Sequence, residues 1–369
     1  VLKEIKMNNK ILPFWVDILL IPILNLLTAF LVAGLIIFII GENPFVALYV
    51  MLKGAFIYEG SLGYTLFYTT NFMFTGLAVA VAFHAMLFNI GGEGQAMMGG
   101  LGIGLFALLL DKIMPTYILV LLCVPIAAMF GAFWGFIPGW LQAKRGSHIV
   151  ITTIMFNFIA ASIMVWLLAG ILMAPNQMSP ETRSFTDGVS LIKFHILLNF
   201  FGFEISKSPL NISFIVAIIS GFFVWYLIWR TELGFKIRAA GHSERASIYA
   251  GHESPKIIII AMTISGGLAG LMAINEILGV QQRVILNFTS GYGFTGIAVA
   301  LMGRNHPIGI FFASLLFGAL YQGGAELDFE FQSITREMVL MIQGLIILFS
   351  GALAYMFNPF LEKLFYKRS

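Results

Sequence analysis

The sequence predicts an all-α polytopic membrane protein of about ten transmembrane helices, and three observations carry that prediction. The 369 residues are 59% hydrophobic and only 11% charged, with a mean hydropathy of +0.92, whereas soluble domains are roughly 25% charged. A large water-facing surface cannot be built from them. The apolar residues fall in runs of about 20, long enough to span a hydrocarbon core of roughly 30 Å. The sequence also lacks the segments of about ten residues with alternating polarity that mark a transmembrane β-barrel.

In chain order, spans are expected near 17–40, 66–88, 94–110, 117–141, 148–173, 211–229, 256–280, 291–303, 307–324 and 336–357. The first contains Pro13, Trp15 and Asp17 in its approach and runs on to Ile40. That exceeds the roughly 7 to 15 apolar residues of a secretory signal, so it reads as a spanning helix. Segment 44–60 is short and interrupted and is expected to lie at the interface. Lys3, Lys6 and Lys10, then Lys144 and Arg145, then Arg230 to Lys256, and finally Lys363, Lys367 and Arg368 all fall on one side of this count. Basic loops mark the cytoplasmic side, so both termini are expected in the cytoplasm. The loops on the other side, 174–210 and 325–330, carry mixed or acidic charge.

The net charge of +3 is small and its basic residues are scattered, which argues against nucleic acid as a partner. The single cysteine, Cys123, excludes an intrachain disulfide and a Cys-rich metal site. HExxH, GxSxG, CxxC and GxxxxGK[ST] are all absent, so no catalytic residue or metal ligand is assigned and the chain cannot bind ATP through a P-loop.

A repeat organises the chain. FTGLAVA, Phe74 to Ala80, recurs as FTGIAVA, Phe294 to Ala300, and each copy is followed by an Ile-Gly pair, Ile90-Gly91 and Ile308-Gly309. Chance recurrence in so biased a composition is the plain alternative. Related halves with interrupted hydrophobic segments in matching places are the pattern of transporters whose site lies at the repeat interface. On the span count the two copies run parallel. One transmembrane domain, 1–369, then comprises an N-terminal helix and interfacial segment at 1–60, a first half at 61–229, a cytoplasmic loop at 230–256 and a second half at 257–369.

FNIGGEGQ, Phe88 to Gln95, carries three glycines, each costing a helix about 1 kcal/mol against alanine. The backbone there is expected to be broken, which a membrane tolerates only where it lines a cavity or is buried in protein. Two readings stand. Asn89, Glu93 and Gln95 offer donors and acceptors to a polar solute, or Glu93 and Gln95 cap a helix beginning at Ala96. Thr295 and Gly296, preceded by SGYGF, interrupt a short span at the matching place in the second copy and favour a site. In TTIMFNFIA, Thr152 to Ala160, Thr153 and Asn157 share a helix face and read first as interhelical glue, second as ligands. His84 reads as a packing residue rather than a proton relay. Asn275 and Glu276 are functional candidates, as intramembrane acids are by default, unless they reach the outer interface. In the 230–256 loop, Ser243 to Ala250 has helix-forming composition between Gly241 and Gly251. It is expected to be a short rigid helix between glycine hinges, shaped to dock into a partner's groove; the alternative is an ordinary solvated loop.

Four of these stretches together resemble one family: FNIGGEGQ, TTIMFNFIA, the loop LGFKIRAAGHSERASIYAG with its following SGGLAGLMA, and GYGFTGIAVALMGRNHPIG. The chain is similar to the permease subunits of ATP-binding-cassette importers in the branched-chain amino acid and ribose permease superfamily, closest to its nucleoside and simple-sugar branch. The resemblance implies discontinuous helices beside a translocation pathway, with Asn89, Gly91, Glu93, Gly94, Gln95, Asn157, Phe294, Thr295 and Gly296 near it. It implies that Gly234, Arg238, Ala239, Gly241, Glu244, Ala246 and Gly251 couple to an ATPase. It also implies the partners: two ATPase subunits that hold ATP and Mg, a second permease, an extracytoplasmic solute-binding protein and the bilayer of a bacterial inner membrane. No cofactor is expected on this chain itself. Three departures stand out: His148-Ile149-Val150-Ile151 where Asn-Glu-Val-Ile is usual, Ser247 in place of alanine and His252 in place of isoleucine. A nucleoside is the expected solute, a riboflavin or ribose importer the alternative, and an ion-coupled secondary transporter the competing class. The segment through residue 60 matches the longer of two permease types, which favours a heterodimer.

Overall fold

The computed structural model describes residues 13, 16, 20–175, 177–203, 205–331, 333–349, 356–358 and 360–361. Their helices are α1 (Ile21–Ile40), α2 (Pro44–Phe56), α3 (Ser61–His84), α4 (Gly92–Leu110), α5 (Thr116–Arg145), α6 (Ile149–Leu168), α7 (Phe194–Phe200), α8 (Ser213–Arg230), α9 (Glu232–His242), α10 (Glu244–Tyr249), α11 (Ser254–Ala273), α12 (Tyr292–Met302), α13 (Pro307–Glu330) and α14 (Arg336–Ile347). A π-helical stretch, Ile274–Gln281, prolongs α11.

Among the described residues, 8 helices are long and apolar enough to cross a membrane: α1, α3, α4, α5, α6, α8, α11 with its extension, and α13. The expected span at 291–303 is instead α12, of 11 residues. At a rise of about 1.5 Å per residue it covers roughly half the hydrocarbon thickness. The expected span at 336–357 is described as α-helix over Arg336–Ile347. The interfacial segment at 44–60 contains α2.

The chain falls into two compact units, one of residues 52–323 and one of the two chain ends, 1–51 and 324–369. In the unit of the chain ends, α1 packs on α14. Gly41 ends α1 in the left-handed region, φ 102°, and the Glu42 carboxylate accepts a hydrogen bond from the Ser333 hydroxyl.

In the 52–323 unit, α5 and α11 cross on glycines. Gly131 and Gly135 of α5 lie backbone to backbone against Gly266 and Gly270 of α11, and a Cβ added at Gly135 would sit 2.6 Å from the Met262 carbonyl. In a lipid-like interior such close approach is what drives helices together, since apolar side chains gain little by leaving lipid tails. The third helix of this core is α4, whose Gly99 lies on the Gly270 backbone. Around this core, α3 packs on α8, α11 and α12.

The 174–210 loop, whose charges read as unbiased in sequence, continues to residue 212 and forms a strap. Arg183 makes a two-pronged contact with Asp111 at the end of α4, Nη1 to Oδ2 at 2.7 Å and Nη2 to Oδ1 at 2.9 Å. That hydrogen-bonded guanidinium holds the Asp111 carboxyl below the usual aspartate range. Arg283 pairs with Glu181 at 2.9 Å. Backbone N–H groups of Thr182, Phe185 and Leu191 donate to the carbonyls of Val284, Gln282 and Leu278 at 2.8–3.0 Å.

Candidate functional site

Two helices of the 52–323 unit begin inside the apolar interior. The first four N–H groups of any helix lack intrahelical partners, so each start needs a cap, and each takes it from a distant residue.

Residues 85–91 leave α3 without helix and lead to α4 at Gly92. Asn89 Oδ1 accepts from the Gly91 N–H at 2.9 Å, while its Nδ2 donates to Gln95 Oε1 at 2.9 Å and to Ser265 Oγ at 2.8 Å. Asn157, from α6, completes the cap: its Oδ1 accepts from the Gly94 N–H at 2.8 Å and its Nδ2 donates to the Ile90 carbonyl at 2.9 Å. Asn157 thus acts as the interhelical glue of the first sequence reading. Thr153 turns its hydroxyl back to the Ile149 carbonyl at 2.8 Å.

The irregular run 282–291 leads into α12, with left-handed φ at Gln282, Asn287, Ser290 and Gly291. Here the cap is Glu93. Its carboxylate accepts from the Thr289 hydroxyl, from the Gly291 N–H at 2.9 Å and from the Gly293 N–H at 2.8 Å. Negative charge at a helix N-terminus is also favoured by the helix dipole. The capping reading of Glu93 therefore needs a correction: α4 begins at Gly92, before Ala96, and the helix capped is α12. A Cβ on Gly293 would fall on the Glu93 backbone, so the two helix starts are in direct contact. Asn89, Glu93, Gln95 and Asn157 are all buried.

The two repeat copies pack on each other, Gly296 against Thr75 and Gly76 against Val299. They run in the same direction, as the span count predicts. Both end in the same turn: Leu87 N–H donates to the Ala82 carbonyl at 3.0 Å and Asn305 N–H to the Ala300 carbonyl at 2.8 Å. His84 Nε2 lies 3.1 Å from the Asn305 carbonyl and its ring meets Trp229 edge-on, a packing role. One face of α12 is buried through Tyr292, Gly293, Gly296 and Val299. The other is open: Phe294 is 48% exposed, and Thr295 is half-buried.

A second buried polar cluster joins Asn275 and Glu276, both named in the sequence analysis, to Asn71, Asn211 and Ser213, which the sequence reading missed. Asn275 Nδ2 donates to Asn71 Oδ1 at 2.8 Å and to the Phe67 carbonyl at 3.0 Å, and Asn71 Nδ2 donates to Glu276 Oε1 at 2.7 Å. Asn211 and Ser213 both donate to Asn275 Oδ1 at 2.8 Å. Asn275 and Glu276 are both buried, in the π-helical turns, and both bond to Asn71 of α3. Beside them Tyr68, Phe72, Tyr292 and Tyr321 form an aromatic cluster. Isolated Asn and Tyr residues in an apolar sequence give no periodic sign of such a meeting.

The 230–256 loop folds as α9 and α10, each with its own hydroxyl cap: Thr231 Oγ1 accepts from the Gly234 N–H at 3.1 Å and Ser243 Oγ from the Ala246 N–H at 3.3 Å. Gly241 is not a hinge. It lies within α9, and a Cβ there would strike the His84 carbonyl, so glycine is needed for the close approach of α9 to the end of α3. Gly251, at φ 82°, does end the short helix. Gly234 packs on α8, Arg238 and Ala239 are half-buried, and Glu244 and Ala246 are exposed. Next to them Tyr249 is 96% exposed, a contact candidate absent from the sequence reading.

Discontinuous helices capped within an apolar bundle are a recurring architecture of membrane transport proteins. The chain belongs to the family described as branched-chain amino acid transport system / permease component, which matches residues 61–351, and it is a permease subunit of an ABC importer. It is 35% identical over 93% of its length to the nucleoside ABC transporter permease protein NupB of Lactococcus lactis, covering 92% of that protein. It is 33% identical over 90% of its length to the guanosine ABC transporter permease protein NupP of Bacillus subtilis, covering 92% of it. The glucose ABC transporter permease protein TsgB13 of Haloferax volcanii is 31% identical over 89% of the chain and 86% of its own length. No solved structure matches the chain.

Proposed function

We propose that this permease carries a nucleoside inward across a bacterial inner membrane, with both termini in the cytoplasm. The observation that carries the reading is the combination of a nucleoside-named and a guanosine-named relative at 33–35% identity with the open face of α12. A half-length helix and the irregular run before it are tolerated at membrane depth only against protein or water, so the Phe294–Thr295 face is assigned to the pathway and to a second permease beside it. The partner is a homologous but different chain, in keeping with the N-terminal segment of the longer permease type.

Two ATPase subunits that hold ATP and Mg bind α9 and α10, and an extracytoplasmic solute-binding protein docks on the 174–212 strap. ATP-driven closure of the ATPases moves α10, α9 passes the motion to the end of α3 through Gly241, and the α3–α12 pair opens the pathway outward. Asn89, Gly91, Glu93, Gln95 and Asn157 hold the two helix starts in register beside that pathway. A neutral solute rich in hydrogen-bonding groups suits an interior of amides and hydroxyls, where each unmade bond would cost about 1–3 kcal/mol. A simple sugar is the second reading, favoured by the glucose-named relative.

Affinity purification from native membranes tests the assembly. An ATPase and a second permease are expected to co-purify, and Tyr249→Arg, on the exposed side of α10, is expected to lose the ATPase while keeping the second permease. A Tyr249→Arg chain that retains its ATPase and its uptake would remove α10 from the coupling surface.

A further inference from the structure

The buried carboxylate of Glu276 has a task that the fold does not explain. It is 6% exposed, and Asn71 is its one hydrogen-bond partner among the described residues, through Oε1. Glu93, by contrast, is fully engaged as a cap. A carboxylate in the membrane with so little support is costly unless it serves a purpose. It also sits on a π-helical stretch, a geometry that recurs at functional sites.

The same turns of α3 that hold this carboxylate carry aromatic rings. Asn71 adjoins Phe72, and the Phe67 carbonyl beside Tyr68 takes Asn275. The Phe72 ring lies 4.9 Å from Tyr321 and 5.4 Å from Tyr292, and Tyr68 lies 5.7 Å from Tyr321. Tyr292 is the first residue of α12 and is fixed by the bonds of Thr289 and Gly293 to Glu93. Tyr68 and Tyr321 are half-buried. Aromatic faces stack on flat rings, and a carboxylate with a spare oxygen accepts two adjacent donors at once.

We infer that Glu276, with Tyr68, Phe72, Tyr292 and Tyr321, forms a solute-recognition subsite of the permease for a planar ring compound bearing two adjacent hydrogen-bond donors. The inference rests on the nucleoside reading above and adds where selectivity is exercised. The donor pair is supplied either by the ribose 2′- and 3′-hydroxyls or by neighbouring N–H groups on the base.

The test replaces the chromosomal copy in the native host and measures maximal uptake of each labelled nucleoside the wild type carries, and of its 2′-deoxy form, with membrane abundance of every variant measured alongside. Saturating solute loads the binding protein, so differences in maximal rate report on the permease. Glu276→Gln preserves the bond from Asn71 but removes the charge, and is expected to lower nucleoside uptake about tenfold or more at equal abundance, the effect of losing a bond to a charged group. If ribose hydroxyls are the donors, the 2′-deoxy form is already slow in wild type and insensitive to the variant; if the base supplies them, both forms fall together. Tyr68→Leu is expected to slow uptake while Tyr68→Phe does not, which keeps the idea open to refutation if Glu276→Gln does not accumulate. Rates in Glu276→Gln and Tyr68→Leu within about twofold of wild type would overturn the subsite while leaving nucleoside transport standing. A wild-type strain that takes up no nucleoside would remove the nucleoside reading first, and the subsite with it.

Discussion

α4 and α12 begin in the same way and are surrounded differently. Each starts inside the apolar bundle and each borrows its cap from far along the chain, Asn157 for Gly94 and Glu93 for Gly291 and Gly293. The first turn of α4, Gly92 to Gln95, is enclosed on all sides. That of α12 has Tyr292 and Gly293 buried but Phe294 open. The difference separates a fixed hub from an element with a free side: α4 is locked into the glycine-built core with α5 and α11, while α12 is held by the Glu93 carboxylate, by the contact of its first turn with α4 and by its packing on α3.

If that contrast holds, removing the two caps has unequal effects. Glu93→Ala leaves three donors without an acceptor, and the expected loss is about 3 kcal/mol or more, read as a lowered unfolding temperature of the detergent-solubilised protein together with lost uptake. Equal stability of Glu93→Ala and wild type would show that α12 does not depend on the clamp. Asn157→Ala removes one helix cap, and about 1–2 kcal/mol is expected, with uptake retained in proportion to folded protein. A larger loss than for Glu93→Ala would reverse the ranking of hub and free element.

The smallest effect is sought in acid. Asp111 has a folded-state pKa below its unfolded value because Arg183 bonds its carboxylate. Its contribution is therefore present above the ordinary aspartate value of about 3.9 and lost as pH falls through Asp111's own lower value. Because Arg183 is partly solvated, about 1 kcal/mol or less is at stake. Hydrogen exchange at Thr186, whose N–H bonds Asp111 at 3.1 Å, is expected to rise below that point, while Thr182, bonded to the Val284 backbone, stays protected. Simultaneous release of both would mean that the strap is one unit rather than two separate ties.

Much of this architecture is legible in the sequence because it follows from local pattern. Long apolar runs give the spans, the glycines of FNIGGEGQ give the break, and the FTG repeat marks two helices that meet. The site is less legible because its bonds are long-range. Nothing near Glu93 says that its partners lie at Thr289 to Gly293, and nothing near Asn71 points to Glu276. Gly241 misleads for a related reason: a glycine required for close approach looks, in one dimension, like one required for bending. The 11 residues of α12 look in sequence like a short span, because composition alone does not separate a helix that crosses from one too short to cross.

The clamp at Glu93 also bears on how the chain is made. Glu93 and Gly293 are 200 residues apart, so during synthesis the carboxylate enters the membrane long before the backbone it will hold exists. Until then its charge must be kept hydrated, protonated or bonded to another donor, while the Thr289 hydroxyl and the Gly291 and Gly293 N–H groups find their acceptor only in α4. The order of synthesis therefore matters: the early helices precede the segment they hold, and a chain stalled before residue 289 would lack all three donors that engage Glu93.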